Sequence, residues 1–329
     1  MRLLVTGGAG FIGSTFVRRV LRGEEPSLAG AEVVVLDALT YAGTETNLTA
    51  VADDPRFRFV RGDVADPGAV ADVTAGVDAV VHFAAESHVD RSILGAEAFV
   101  RTNVVGTSVL LQAAIDAGVG RFVHVSTDEV YGSIESGSWT EESPVDPNSP
   151  DAASKAGSDL LALATARTHG LDVRVTRCSN NYGPHQFPEK VVPLFVTNLL
   201  DGLDVPLYGD GGNVRDWLHV DDHCRGLALV LERGRAGRVY NIGGGTELTN
   251  RELTRRLLDA VGADESRVRP VPDRLGHDRR YSVDWTRART ELGYAPRVPL
   301  AEGLADTVRW YAEHREWWEP LRALAALGS

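Results

Sequence analysis

Three acids and one lysine are the residues here whose types and spacing could do chemistry. Thr127, Asp128 and Glu129 stand together in STDEVYGS (126–133), and Lys155 follows Asp151 by four places in NSPDAASKAGSD (148–159). An adjacent acid pair can divide proton transfer between its members, because burial and mutual repulsion hold one carboxyl protonated while the other ionises. In a solvated turn the same pair would do nothing. At the C-terminal edge of a parallel strand it points to chemistry. Residues four apart share a helix face, so Asp151 and Lys155 can serve one point. Lys155 and Lys190 are the only lysines among 34 basic side chains. A lysine has been kept where arginine is the default.

VTGGAGFIGS follows the first apolar run and opens an amphipathic stretch. Gly7, Gly10 and Gly13 permit, in turn, a tight turn, close approach of backbone to a pyrophosphate, and close helix–strand packing. Phe11 and Ile12 begin the helix whose amides would meet the phosphates. Asp37, with Thr40 in LDALTYAG (36–43), ends the next strand where a carboxylate would hold a ribose hydroxyl. That acid favours NAD over NADP, since a 2′-phosphate would be repelled. Asp63, followed by Val64, either faces the adenine or caps a helix over 66–76; both readings stand.

These residues need a scaffold. The runs 2–7, 32–37, 56–63, 78–85, 121–127 and 172–177 are nearly continuous in apolar residues, as parallel strands buried on both faces are. Amphipathic stretches at 11–23, 66–76, 94–117 and 151–169 alternate with them. The pattern predicts an α/β fold, a doubly wound parallel sheet of Rossmann type. Beyond 178 glycine, proline and asparagine become frequent, and long loops suggest a smaller substrate-binding region. The division is 1–178, plus segments returning from the C-terminal half, for the cofactor, and 179–329 mainly for the substrate. A net charge of −12 argues against nucleic-acid or anionic-membrane partners. No segment reads as a signal peptide or a membrane span. Cys178 and Cys224 read as buried free thiols, which suits a reducing cytoplasm. His88, His219 and His223 lack ligand spacing, so no metal is expected. Two tryptophans in HREWWEP (314–320) suit docking of a terminal helix.

On these motifs the chain resembles the extended short-chain dehydrogenase/reductases, and within them the 4,6-dehydratases acting on dTDP-glucose in deoxysugar pathways. HFAAESHVDRS (82–92), with Ala84, Ala85 and Ser87, resembles the segment under the nicotinamide, and Thr102 lies in TNVVGT. The Thr127-Asp128-Glu129 triplet resembles the dehydratase signature. The resemblance implies that Lys155 and Asn181 contact NAD. It implies substrate contacts from Ser87, Thr127, Asn180, Glu189, Lys190, Val191, Pro206, Tyr208, Arg215, Asn250, Arg274, His277 and Tyr281. It also implies an NAD-dependent lyase. The sugar is oxidised at C4, Glu129 removes the C5 proton, Asp128 assists loss of the C6 hydroxyl as water, and hydride returns to C6. A homodimer through helices 94–117 and 151–169 is implied as well.

One position departs. Where the family carries a tyrosine four places before the lysine, this chain has Asp151. A carboxylate reaches roughly 4 Å less far than a phenol oxygen, and its reference pKa is about 3.9 against about 10. Losing general-base help costs on the order of 10²–10⁴ in rate. Asp151 also suits a helix's first turn or an ion pair with Lys155. The change is an engineered or variant position, a natural use of another base, or a site where Tyr131 or Tyr182 substitutes. The alternatives to a working dehydratase are a catalytically impaired binder of NAD and nucleotide sugar, and a nucleotide-sugar epimerase or decarboxylase, against which the acid pair weighs.

Overall fold

In a computed structural model describing residues 1–327, the alternating pattern becomes a central parallel sheet flanked by helices. The first half runs β1 (Arg2–Thr6), α1 (Phe11–Leu21), β2 (Glu32–Asp37), β3 (Phe57–Arg61), α2 (Pro67–Thr74), β4 (Ala79–His82), α3 (Val89–Leu94), α4 (Ala96–Phe99), α5 (Thr107–Asp116), β5 (Arg121–Thr127), α6 (Pro150–His169) and β6 (Val173–Cys178). The second half adds β7 (Asn180–Tyr182), α7 (Val191–Leu200), β8 (Val205–Tyr208), β9 (Val214–His219), α8 (Val220–Arg233), β10 (Val239–Ile242), β11 (Glu247–Thr249), α9 (Asn250–Val261), β12 (Val268–Val271), α10 (Leu300–Glu313) and α11 (Arg315–Leu327).

The main sheet has the order β10-β6-β5-β4-β1-β2-β3, with every neighbouring pair parallel. Strand order reverses between β1 and β4, the crevice where ligands bind in such sheets. Period-two alternation gives each strand two buried faces. Leu3 and Val5 enter the apolar cluster shared with α1 and α8, while Leu4 enters the opposite one shared with α2, α5 and α6. A third cluster, built on α7, α9, α10 and α11 around Tyr311 and Trp318, is the core of the second lobe. Two small sheets, β11-β9-β7 and β12-β8, lie there as well. β10 returns to the edge of the main sheet beside β6, so the second half of the chain completes the first lobe.

Two expectations change. The stretch 94–117 is helical but not uniform, because Val100–Gly106 winds as π-helix between α4 and α5. Such widened turns cluster at functional sites. Here it seats Asn103 so that its Nδ2 reaches Ser154 Oγ on α6 at 2.7 Å and the Glu86 carbonyl at 3.1 Å. By length and composition Ala96–Asp116 also reaches a membrane span, with mean hydropathy 1.3, contrary to the reading that no segment does. In this fold it packs against α2 and α6.

Helix α6 starts where local chemistry dictates. Ser149 caps it through the Ala152 amide, Pro150 opens the first turn, Asp151 follows, and Gly170 closes it at φ 72°. Its inner face carries a buried ion pair: Arg177 Nε on β6 meets Asp159 Oδ2 at 2.8 Å, with both side chains at most 4% exposed. Breaking such a pair leaves an uncompensated buried charge. Asp159→Asn is therefore expected to lower unfolding free energy by about 3–5 kcal/mol in denaturant titration, and the double change Asp159→Leu with Arg177→Met to recover most of that loss.

Candidate functional site

A cavity of about 380 Å³ opens along the C-terminal edge of the main sheet. Six of the seven strand ends contribute wall: Gly7 and Gly10 to Gly13 after β1, Asp37, Ala38 and Thr40 to Gly43 at β2, Gly62 to Val64 after β3, Phe83 to Ser87 after β4, Val125 to Glu129 at β5, and Cys178 to Asn181 at β6. Thr102, Asp151 and Lys155 come from the helical layer, and Gln186, Phe187, Glu189 and Lys190 from the loop after β7.

The glycine loop has the shape of a phosphate cradle. Gly7 takes φ 69°, and a Cβ there would stand 2.5 Å from the Ala84 amide nitrogen; one on Gly13 would run into the Gly7 carbonyl. At Gly10 a Cβ would meet only the Gly7 carbonyl oxygen, at 3.4 Å, so that side stays open. Asp37 braces the loop: its Oδ2 accepts from the Ala9 amide and its Oδ1 from Leu39, both at 2.8 Å. Burial pushes this carboxyl up, while the two amides oppose that shift. Of the two readings of Asp63, the helix cap fails, because Asp66 caps α2 by accepting from Gly68 at 2.9 Å. Asp63 lies on the cavity wall with Val64, and its Oδ2 pairs with Arg101 at 3.2 Å.

The acid pair has the expected asymmetry. Asp128 is 2% exposed, whereas Glu129 is half-buried. Burial, reinforced by Glu129 and Asp216, holds the Asp128 carboxyl well above the carboxylate range, with Arg215 opposing. Its Oδ2 has no hydrogen-bond partner. A buried, protonated acid with a free oxygen is poised to give a proton to a ligand. Thr127 fixes the turn by accepting from the Glu129 amide at 3.2 Å and donating to Asp128 Oδ1 at 3.4 Å.

Lys155 is buried and donates from Nζ to the Val125 carbonyl at 2.7 Å. Burial lowers its pKa, while Asp159 and Asp151 act in the other direction. No ion pair within 4.0 Å joins it to Asp151 among the described residues, so that role for Asp151 is not realised. The pKa argument against Asp151 also needs revision. Burial, with the Glu129 charge, pushes its carboxyl up to about 7, against opposing effects of Lys190 and Lys155. Its short reach is unchanged. Neither proposed tyrosine can replace it. Tyr131 donates to Asn241 Oδ1 at 2.8 Å beneath Arg177, and Tyr182 packs against Trp217 and His219; neither lines the cavity.

The residues expected to bind substrate divide into two groups. Ser87, Asn180, Glu189 and Lys190 line the cavity, and Lys190 Nζ donates to Ser87 Oγ at 3.3 Å. Val191 follows as the first residue of α7. Pro206, Tyr208, Arg215, Asn250, Arg274, His277 and Tyr281 lie outside the cavity wall. Arg215 spreads over the Tyr281 ring at 4.2 Å and donates to the Asp278 carbonyl at 2.9 Å. Tyr281 donates to Asp278 Oδ2 at 2.6 Å, and Tyr208 meets His277 edge-on with ring centroids 6.4 Å apart. Asn250 donates its amide to the Asn213 carbonyl at 2.9 Å, and Pro206 pairs in register with Arg269. Unpartnered buried polar atoms occur in both groups, Asn180 Oδ1 and Glu189 Oε1 in the first and Arg274 Nε in the second, and Asp128 Oδ2 lines the same cavity as the first. Such atoms demand a polar ligand or water. Among the described residues no cluster of His, Cys, Asp or Glu could hold a metal ion.

Sequence reasoning missed the mouth. Tyr41 donates to the Ser87 carbonyl at 2.7 Å, packs edge-on to Phe187, and lies under the Arg91 guanidinium at 3.9 Å. Arg91 in turn pairs with Glu189 at 3.1 Å. Three loops thus meet at one aromatic ring. The only available signal was the tyrosine inside LDALTYAG.

Strand order, glycine loop and Asp37 together define a Rossmann-type dinucleotide-binding protein of the extended short-chain dehydrogenase/reductase kind. The chain belongs to the GDP-mannose 4,6 dehydratase family, which it matches over residues 4–307. It is 66% identical over 326 residues to a dTDP-glucose 4,6-dehydratase of Streptomyces antibioticus, covering 98% of this chain and 96% of that protein. The structure of DesIV, a dTDP-glucose 4,6-dehydratase of Streptomyces venezuelae solved with NAD bound, superposes with TM-score 0.97 at 69% identity, over 98% of this chain and 100% of that one. A UDP-glucose 4-epimerase from Thermotoga maritima shares the fold at TM-score 0.88 and 33% identity, over 95% and 99% of the two chains.

If the Tyr41 contacts hold the mouth closed, Arg91→Ala should speed amide exchange in residues 38–43 and 186–190 by about fivefold, roughly the worth of one net polar contact. Hydrogen exchange read by mass spectrometry checks this, with exchange in β1 and β4 unchanged.

Proposed function

We propose that this chain is an NAD-dependent hydro-lyase that converts dTDP-glucose to its 4-keto-6-deoxy product, at a rate limited by Asp151. The observation that carries the reading is the acid pair. One buried carboxyl with an unpartnered oxygen stands beside a half-exposed one, on the wall of a cavity that also holds the glycine loop and the Asp37 carboxyl that braces it.

The cradle of Gly7, Gly10 and Gly13, with Phe11, Ile12, Asp37, Thr40, Asp63, Val64, Ala84, Ala85, Thr102 and Asn181, would hold NAD, as its open side at Gly10 and the braced Asp37 fit. NAD, when bound, supplies a hydride acceptor at C4 and a hydride donor at C6. Thr127 and Ser87 orient the sugar. The C4 hydroxyl proton departs through a bridging water to the Asp151 carboxylate, and Lys155 presents positive charge beside that path. Glu129 takes the C5 proton, made acidic by the C4 ketone, and returns it to C5 when hydride reaches C6. Asp128 gives its proton to the leaving C6 hydroxyl, which departs as water. The Arg215 cluster, with Asn250, Arg274, His277 and Tyr281, receives the nucleotide and its phosphates, for which guanidinium groups are suited.

We assign residues 1–178, with β10 and α8 returning, to NAD binding, and the remainder mainly to the nucleotide sugar. The partner is a second copy of this chain. Leu94 is 80% and Leu160 57% exposed, and Ile93, Val100 and Val105 are exposed on the same helical layer, an apolar surface suited to dimerisation. Biosynthetic chemistry on a nucleotide sugar and two buried free thiols support a cytoplasmic setting. Leu160→Glu should halve the mass seen by sedimentation; an unchanged mass would remove this surface as the interface.

Asp151 also supports a second reading, a binder of NAD and nucleotide sugar that turns over slowly. Asp151→Tyr is expected to raise the rate of 4-keto-6-deoxy product formation by about 10²–10⁴. If Asp151 itself accepts the proton, the sign is fixed: only the carboxylate form is a base, so the rate of the unaltered chain rises as pH rises through about 7. A rate flat across that pH range, with no gain from tyrosine, would move the base elsewhere. Product analysis separates dehydration from epimerisation.

A further inference from the structure

The short 3₁₀ segment Glu45–Val51 carries Asn47, which is 2% exposed and lies off the cavity wall. Its side-chain Nδ2 donates to the Ala9 carbonyl at 2.9 Å, and its Oδ1 accepts from the indole Nε1 of Trp317 at 3.0 Å. Its backbone carbonyl accepts from Arg18 Nη1 at 2.6 Å. Ala9 is the central residue of the glycine loop, and its amide is the one held by Asp37. Ala9 is therefore gripped on both sides of its Cα, at its N–H by the Asp37 carboxylate and at its carbonyl by the Asn47 amide together with the Thr44 backbone N–H at 3.1 Å.

The orientation of that amide is forced. A carbonyl only accepts and an indole N–H only donates, so Asn47 must turn Nδ2 to Ala9 and Oδ1 to Trp317. Without the indole N–H, Oδ1 would be left buried and unpaired, and a flipped amide would set oxygen against oxygen at Ala9. Unpaired buried acceptors are costly. The indole is itself fixed, edge-on to Trp310 with centroids 5.0 Å apart and to His185 at 5.5 Å. His185 belongs to the segment that continues into Phe187, Glu189 and Lys190, and Trp317 to α11 in the second lobe.

We propose that Trp317 is a positioning residue for the cofactor: through Asn47 its N–H holds the glycine loop in its phosphate-binding form, so the second lobe controls how tightly NAD is kept. The inference rests on the NAD reading above. The test uses the full chain loaded with labelled NAD and diluted into excess unlabelled NAD. Trp317→Phe keeps the ring and loses only the donor, and should release NAD about fivefold faster, with the KM for dTDP-glucose within twofold of the parent. In an Asn47→Ala background the same change should add nothing, because the two act as one link. Release at the parent rate overturns the proposal, even if the melting temperature falls, since that outcome means packing alone. A full fivefold effect persisting in the Asn47→Ala background also overturns it. A parent chain that retains no NAD would instead remove the cofactor reading, and this inference with it.

Discussion

The close approach of three backbone segments at the end of β1 governs this molecule. Gly7 leaves the strand in a left-handed conformation, with no room for a side chain against Ala84, and Gly13 lies against Gly7. That contact seats α1 on the sheet and opens the crevice between β1 and β4. All the other pieces of the site are measured from it. Asp37 reaches back to Ala9, and Ala84 leads the chain on to Ser87 and the mouth. Glycine is required here for steric reasons that no packing elsewhere could relieve.

Around that fixed point, electrostatics rather than shape separates the roles of chemically similar groups. Asp128, Glu129 and Asp151 are all carboxyls lining one cavity. Asp128 is held neutral by burial beside another acid, Asp151 is moved toward neutrality, and Asp159, beneath, is held ionised by Arg177 and His124 despite complete burial. The same residue type therefore supplies a neutral acid, a group titrating near neutrality and a fixed counter-charge.

Six of the seven strands of the main sheet were legible because buried parallel strands are written as apolar runs, and their observed ends differ from the expected ones by a few residues at most; β10, only four residues long and running into a glycine-rich stretch, was not. The glycine cradle, Asp37 and the acid pair were legible because each lies within one short motif. What could not be read depended on distance or burial. Asp63 and Asp66 are equivalent as sequence signals for a helix start, and only the path of the chain decides that Asp66 is the cap. Arg91 and Glu189 are 98 residues apart, and Asn47 and Trp317 270 apart, with no local pattern to join them. The reference acidity of Asp151 was misleading because the shift comes from burial, and then from the Glu129 charge, neither of which a linear reading places.

The π-wound segment Val100–Gly106 has an implication for how this lineage can change. A widened turn holds one more residue than an α-turn, so losing a single residue there would restore regular winding and leave the helix beyond it in nearly its present register. Thr102 on the cavity wall and Asn103, which bonds Ser154 and Glu86, would then no longer keep their separate places, while the outward apolar row of the same helix stayed in line. The extra residue thus serves the interior and leaves the exterior face as it is. A one-residue change in this turn alters the site without turning the surface that shares its helix.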